Sequence, residues 1–209
     1  MNWSAFFKSS SSRNAFLFSI LLLAAVLTCF FFILAYIEKR NGFVIEKGWM
    51  DHICLAKDLS AFIFPLTWPV AFVGVIISAR DPENFLLLIR TYTILIILRG
   101  ITLMSVPLDP PLGTIHLNDP LLHSTFYNGR TNLKDLFFSG HTATVFLFVF
   151  VLENRKLKMI FLLIAIILGT LIIIQRVHYI TDVMFAFPFA WLAYTLAKKW
   201  GRNSALSTD

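Results

Sequence analysis

Charge is what this sequence has least of: 14% of its 209 residues are Asp, Glu, Lys or Arg, against about 25% in an ordinary soluble domain. Cysteine is almost missing too. Cys29 lies in an apolar run and Cys54 in a polar stretch, with no CxxC pair, so there is no disulfide framework and the redox compartment stays open. No internal repeat is visible. The basic excess of six charges (18 against 12) comes with no RNA-binding motif or basic face, which argues against a nucleic-acid partner. What is abundant is apolar surface: 57% of residues are hydrophobic, and the mean hydropathy is +0.74. A chain this short buries only part of that surface in a core of its own, and the rest must meet lipid. The fold class expected is all-α, a polytopic integral membrane protein.

Crossing a hydrocarbon core takes roughly 20 apolar residues. Six runs qualify: 15–37, about 60–79, 84–106, about 136–152, 159–174, and about 178–197. The first is 23 residues long and lacks an A-x-A-like cleavage site, so it reads as a retained span rather than a signal peptide. The expected organisation is a short interfacial segment at 1–14, carrying Trp3, Phe6 and Phe7, a six-span domain at 15–197, and a polar tail at 198–209. Placing both termini inside puts nine basic loop residues on the cytoplasmic side and seven opposite, with Arg90 and Arg99 left out as intramembrane.

Of twelve carboxylates, only Asp182 lies within an apolar stretch. A charge at mid-span costs roughly 2.5–3.5 kcal/mol on insertion scales, so such a residue faces a partner or a wet cavity. His178 stands four residues earlier, on the same helical face. Asp182 is therefore expected to hold one ring nitrogen, leaving the other as nucleophile or base. A second cluster, Asp135-Leu136-Phe137-Phe138-Ser139-Gly140-His141-Thr142, opens the fourth run. Ser139 and Gly140 at a helix start offer a hydroxyl and free N–H groups to an anion. Up-and-down topology returns the sixth span to the face where the fourth began, which sets His141 and His178 at one depth. Arg99, near the end of the third span, reaches that level and suits bidentate phosphate binding, and Arg176 adds a second positive charge at the mouth. Acid, nucleophile and anion clamp together suggest phosphoryl transfer at a membrane surface. Zinc on His and Asp is the rival chemistry, but only three candidate ligands are present and the arginines would repel a cation, so no metal and no cofactor are expected. A proton-relay transporter built on Asp182, His178 and His141 is the non-enzymatic alternative.

The motifs Ser139-Gly140-His141-Thr142 and His178-Tyr179-Ile180-Thr181-Asp182 resemble the type 2 phosphatidic acid phosphatase superfamily, and more narrowly its sphingomyelin synthase and ceramide phosphoethanolamine synthase branch. Arg99-Gly100-Ile101-Thr102-Leu103-Met104 followed by Pro107 looks like that branch's arginine-threonine segment, so the likeness runs from about Arg90 to Ala197. It implies a metal-independent six-span enzyme acting on phospholipid and lipid-alcohol substrates, in which His178 attacks the lipid phosphate to give a phosphohistidine. Asp182 would orient its ring. His141 would act as acid and then base, and Asp135 would set the protonation of His141 or engage the head group. A phospholipase C-type hydrolase or a lipid phosphate phosphatase, with water as acceptor, is the alternative outcome. The superfamily's Lys-x6-Arg-Pro motif is absent, and Ile172 stands where its third motif carries Arg. The eukaryotic synthases' extra N-terminal region and longer loop before Ser-Gly-His are also missing, so a compact bacterial form in the cytoplasmic membrane is expected, and the family's exoplasmic catalytic face implies a site that faces outward. In the same reading His52, His116 and His123 are solvated or interfacial loop histidines, Asp109 and Asp119 lie in the loop over the site as solvated carboxylates, with head-group contact the alternative, Trp49, Trp68, Trp191 and Trp200 are interfacial or packing residues, Gly169 marks a close helix contact, and Arg90 snorkels.

Overall fold

The computed structural model describes residues 2–45, 56–125 and 132–206. Lys47, Trp49, His52, Cys54 and Arg130 lie outside the described residues, as does the side chain of His123. The described residues form α1 (Trp3–Lys8), α2 (Ser10–Ile37), α3 (Ser60–Ser78), α4 (Pro82–Ser105), α5 (Pro120–Thr125), α6 (Gly140–Val151), α7 (Arg155–Ile174) and α8 (Ile180–Leu206). Five of these helices, α2, α3, α4, α7 and α8, are long and apolar enough to cross a membrane. The chain is an all-helical, polytopic membrane protein.

Helix α4 is the most buried of the long helices. It packs between α2 on one flank and α8 on the other, while α6 lies against α3, α7 and α8. Ala186, Ala190, Ala193 and Ala197 make a fully buried stripe on α8, and side chains this small let helices approach closely where lipid gives no hydrophobic drive. Gly169 does the same on α7: a Cβ there would sit 2.6 Å from Val183 Cγ1. The outer faces of α2, α3 and α7 expose Leu17, Phe18, Leu21, Phe62, Phe72 and Leu163, among others, as surfaces solvated by acyl chains should. At the N-terminus Asn2 caps α1, whose Trp3, Phe6 and Phe7 cluster with Phe16 and Phe85, and the Trp3 indole N–H donates to the Ala79 carbonyl at 2.8 Å.

The fourth run departs from the reading above. Its helix begins at Gly140 rather than near Leu136 and has 12 residues, about 18 Å long at 1.5 Å per residue, too short to span alone. Residues 132–139 are extended or bent instead. Non-helical backbone at membrane depth is tolerated only where other groups satisfy it, and here they do. The Phe138 carbonyl accepts from the Arg99 guanidinium, the Phe137 carbonyl accepts from Thr102 Oγ1 at 3.1 Å, and Ser139 N–H donates to the Asp182 carbonyl at 3.0 Å. At the other boundaries, α2 already starts at Ser10, and the polar stretch from residue 198 continues as helix to Leu206.

Candidate active site

The loops 38–45, 106–119, 132–139 and 175–179 gather at one end of the bundle, opposite the α3–α4 turn at 79–81. Short polar bonds stitch them together. Glu38, capping α2, accepts the Leu133 and Lys134 amide N–H groups at 3.1 Å each, which fixes the strand-like approach to Asp135. Gln175, fully buried after α7, donates to Ser60 Oγ at 3.0 Å and accepts from Leu59 N–H at 2.8 Å. Arg176 then turns the chain with a left-handed φ of 59°, so that His178 and α8 point back into the bundle.

His178 and Asp182 meet as their spacing requires. His178 Nδ1 lies 3.3 Å from Asp182 Oδ2, which also accepts the Tyr179 N–H at 3.0 Å. Asp182 is 0% exposed, and among the described residues its Oδ1 has no hydrogen-bond partner. Because Nδ1 is held, Nε2 is the nitrogen left to act. His141, at the second position of α6, sits across a small cavity of about 40 Å³ that both histidines line together with Asp135, Asp119 and His116. A neighbouring cavity of about 60 Å³, reaching Arg99, Trp68 and Tyr92, shares His141 and Asp135 as its wall.

Two placements correct or extend the sequence reading. Asp119, expected as a solvated loop carboxylate, is 4% exposed: its Oδ2 lies 2.9 Å from His141 Nε2 and accepts the Trp68 indole N–H at 2.8 Å. The physical reason is the one-turn helix α5, whose Leu121 N–H bonds Asp119 Oδ1 and turns the carboxylate inward. Trp68 is thereby a site residue, not only an interfacial one. Asp109 is likewise engaged, its Oδ1 lying 2.7 Å from Lys134 Nζ. The second placement concerns Asp135, which pairs with the Arg99 guanidinium and lines both cavities with His141. Nothing in residue spacing could have singled out Asp119. The only cue was a carboxylate directly before Pro120, an ordinary helix start.

Gly140 is required by close approach. A Cβ there would fall 2.7 Å from Arg99 Cζ, so only glycine lets the guanidinium lie under the start of α6. Ser139 Oγ is fully buried and bonds Thr142 Oγ1 at 3.1 Å. Arg176 lies at the outer edge with its guanidinium on the Leu112 carbonyl at 3.1 Å, outside both cavities. The site therefore brings together His141, His178, Asp182, Asp135, Ser139, Gly140 and Arg99, and leaves Arg176 at its rim. Among the described residues no group of three His, Cys, Asp or Glu side chains is arranged to hold a metal ion.

Residues 134–199 match the family model described as PAP2 superfamily C-terminal. The matched segment starts one residue before Asp135 and encloses α6, α7 and both histidines. It supports the type 2 phosphatidic acid phosphatase superfamily, whose members are lipid phosphatases or phosphotransferases, and with it a lipid phosphoesterase or phosphotransferase enzyme. No curated protein and no solved structure matches the chain. Arg99 and Asp119 lie outside the PAP2-type segment, yet both reach into it: Arg99 bonds Asp135 and Phe138, and Asp119 bonds His141.

Two expected outcomes arise from these contacts. Arg99→Met takes the guanidinium away from the Asp135 carboxylate and from the Phe138 carbonyl, and should cost roughly 3–5 kcal/mol of stability. Denaturant unfolding in detergent reads this, and a midpoint equal to wild type would contradict it. Burial pushes the Glu38 carboxyl above the ordinary glutamate value, against the opposing pull of the Lys134 and Leu133 N–H groups. The folded state then holds the proton more tightly than the unfolded chain, so this group's contribution to stability is present below the ordinary glutamate value and lost as pH rises above it. Glu38→Gln keeps an acceptor and removes the charge. Its melting temperature should lack that fall between the ordinary glutamate value and the raised one, and an unchanged pH dependence would rule this out.

Proposed function

We propose that the protein transfers a phosphocholine or phosphoethanolamine head group from a glycerophospholipid to a lipid alcohol such as ceramide, through a phosphohistidine at His178. The observation that carries this reading is a pair of histidines, each held at one nitrogen by a buried carboxylate, lining one cavity beside an arginine. Nε2 of His178 forms a bond to phosphorus while the bond from phosphorus to the glycerol oxygen breaks. His141 donates a proton to that oxygen, and diacylglycerol leaves. The acceptor hydroxyl then gives its proton to His141 as its oxygen bonds phosphorus, and the N–P bond breaks. Asp182 stabilises the imidazolium that develops on His178, and Asp119 does the same for His141. Arg99 and the N–H groups at the start of α6 stabilise charge on the phosphoryl oxygens. Asp135 fixes the guanidinium for that task.

Water as acceptor would use the same groups and yield diacylglycerol and a free phosphobase. A proton-relay transporter has less support, because the polar groups collect at one end of the bundle rather than at its middle. Thin-layer chromatography of purified protein with labelled phosphatidylcholine or phosphatidylethanolamine, with and without ceramide, decides among these. A ceramide-dependent phosphosphingolipid is the expected product. Free phosphobase irrespective of ceramide would replace transfer by hydrolysis, and inorganic phosphate from phosphatidic acid would indicate a phosphatase.

A further inference from the structure

At the opposite end of the bundle lies a larger cavity that the proposed chemistry does not use. It measures about 580 Å³ and is walled by α2, α4 and α8. Arg90 is its deep feature. Its side chain comes from the central helix α4, is 6% exposed, and lines the cavity. Nε donates to Ser19 Oγ at 3.3 Å, and Cζ lies 4.8 Å from the centroid of the Trp200 ring. Gly201 leaves space for Nη1, since a Cβ there would come within 3.2 Å of it. Among the described residues neither terminal nitrogen has a hydrogen-bond acceptor, and no carboxylate pairs with the group.

A guanidinium that presents its terminal N–H groups to a cavity suits a planar or tetrahedral oxyanion. The cavity walls have the matching order of polarity. Leu86, Leu87 and Ala197 are apolar, Arg90 sits among them, and the exposed Lys198 and Arg202 stand at the rim. The carboxylates there do not compete for Arg90: Asp81 caps α4 through Asn84 N–H at 2.9 Å, and Glu83 and Glu153 are exposed at the rim. We propose that this cavity binds the phosphate of a phospholipid from the leaflet on the side of the termini, with its glycerol and upper acyl carbons along the apolar wall. A phosphate on Arg90 would tie together α4, α2 through Ser19 and α8 through Trp200. This is a site separate from the histidine cavity, and it does not depend on the reaction proposed there.

The test uses the full chain carrying His178→Ala, so that no lipid is consumed, in phosphatidylcholine nanodiscs. A benzophenone amino acid replaces Leu87, and labelled phosphatidylglycerol or labelled diacylglycerol is added. Phosphatidylglycerol should be captured about tenfold more than diacylglycerol, and Arg90→Gln should reduce that capture by about the same factor, as expected for charge-assisted hydrogen bonds. Should Arg90→Gln fail to fold, the exposed pair Lys198→Glu and Arg202→Glu reads the same site, with a several-fold loss expected from reversing the rim charge. Excess inorganic phosphate that leaves capture intact supports the lipid as the source of the phosphate. Displacement by inorganic phosphate would overturn the lipid and leave a free-phosphate site. Equal capture of both lipids, or capture of phosphatidylglycerol unchanged by the Arg90 and rim variants, would overturn the proposal.

Discussion

His178→Ala should lower lipid turnover by about a thousandfold or more, the scale seen when a nucleophile is removed from a covalent mechanism. The expectation rests on geometry. Asp182 occupies Nδ1, so Nε2 is the free nitrogen, and it belongs to a side chain that is 4% exposed on the wall of the shared cavity. Loss of the imidazole leaves the contacts that hold the Arg99 guanidinium, to the Phe138 carbonyl and to Asp135. The variant should therefore fold and still bind phospholipid. Measured kcat for head-group release from labelled phosphatidylcholine or phosphatidylethanolamine checks it, alongside a melting curve. Undiminished turnover by a folded variant would remove His178 from the chemistry.

Asp119→Asn should lower kcat by about a hundredfold, within the range for general acid–base catalysis. The carboxylate accepts from the Trp68 indole and holds Nε2 of His141, so the imidazole keeps one orientation and its cationic form keeps a counter-charge. Asparagine retains an acceptor for Trp68 but no charge for the imidazolium. A merely structural role would move only stability. The positioning role proposed for Asp119 moves the pH dependence of kcat, because in the proposed cycle His141 gains and loses a proton. A pH–rate profile parallel to that of wild type would contradict this assignment, whatever the size of the rate loss.

Different physical signals made different parts of this molecule legible. Long apolar runs define α2, α3, α4 and α7 well, because hydropathy over twenty residues is what a bilayer selects. Asp182 was conspicuous as a lone carboxylate in such a run, and its partner followed from helical spacing alone. The start of α6 was not legible in the same way. Leu136, Phe137 and Phe138 are as apolar as any helical segment, and what unwinds them is Arg99 and Thr102 on another helix. Asp119 was hidden for a related reason, since its inward turn depends on Trp68 and on the one-turn helix that follows it. Periodicity marks the face of a helix, while contacts between distant segments decide which polar groups that face must satisfy.

In the proposed reaction a covalent bond forms between His178 and the head-group phosphorus. Rapid acid-free quenching of the enzyme with a phosphorus-labelled phospholipid, followed by proteolysis at alkaline pH, tests it directly. Label should appear on the peptide that contains His178 and Asp182, stable to base and released by acid, at a rate no slower than kcat. Turnover without label on that peptide, or label on His141 or Ser139 instead, would contradict the mechanism.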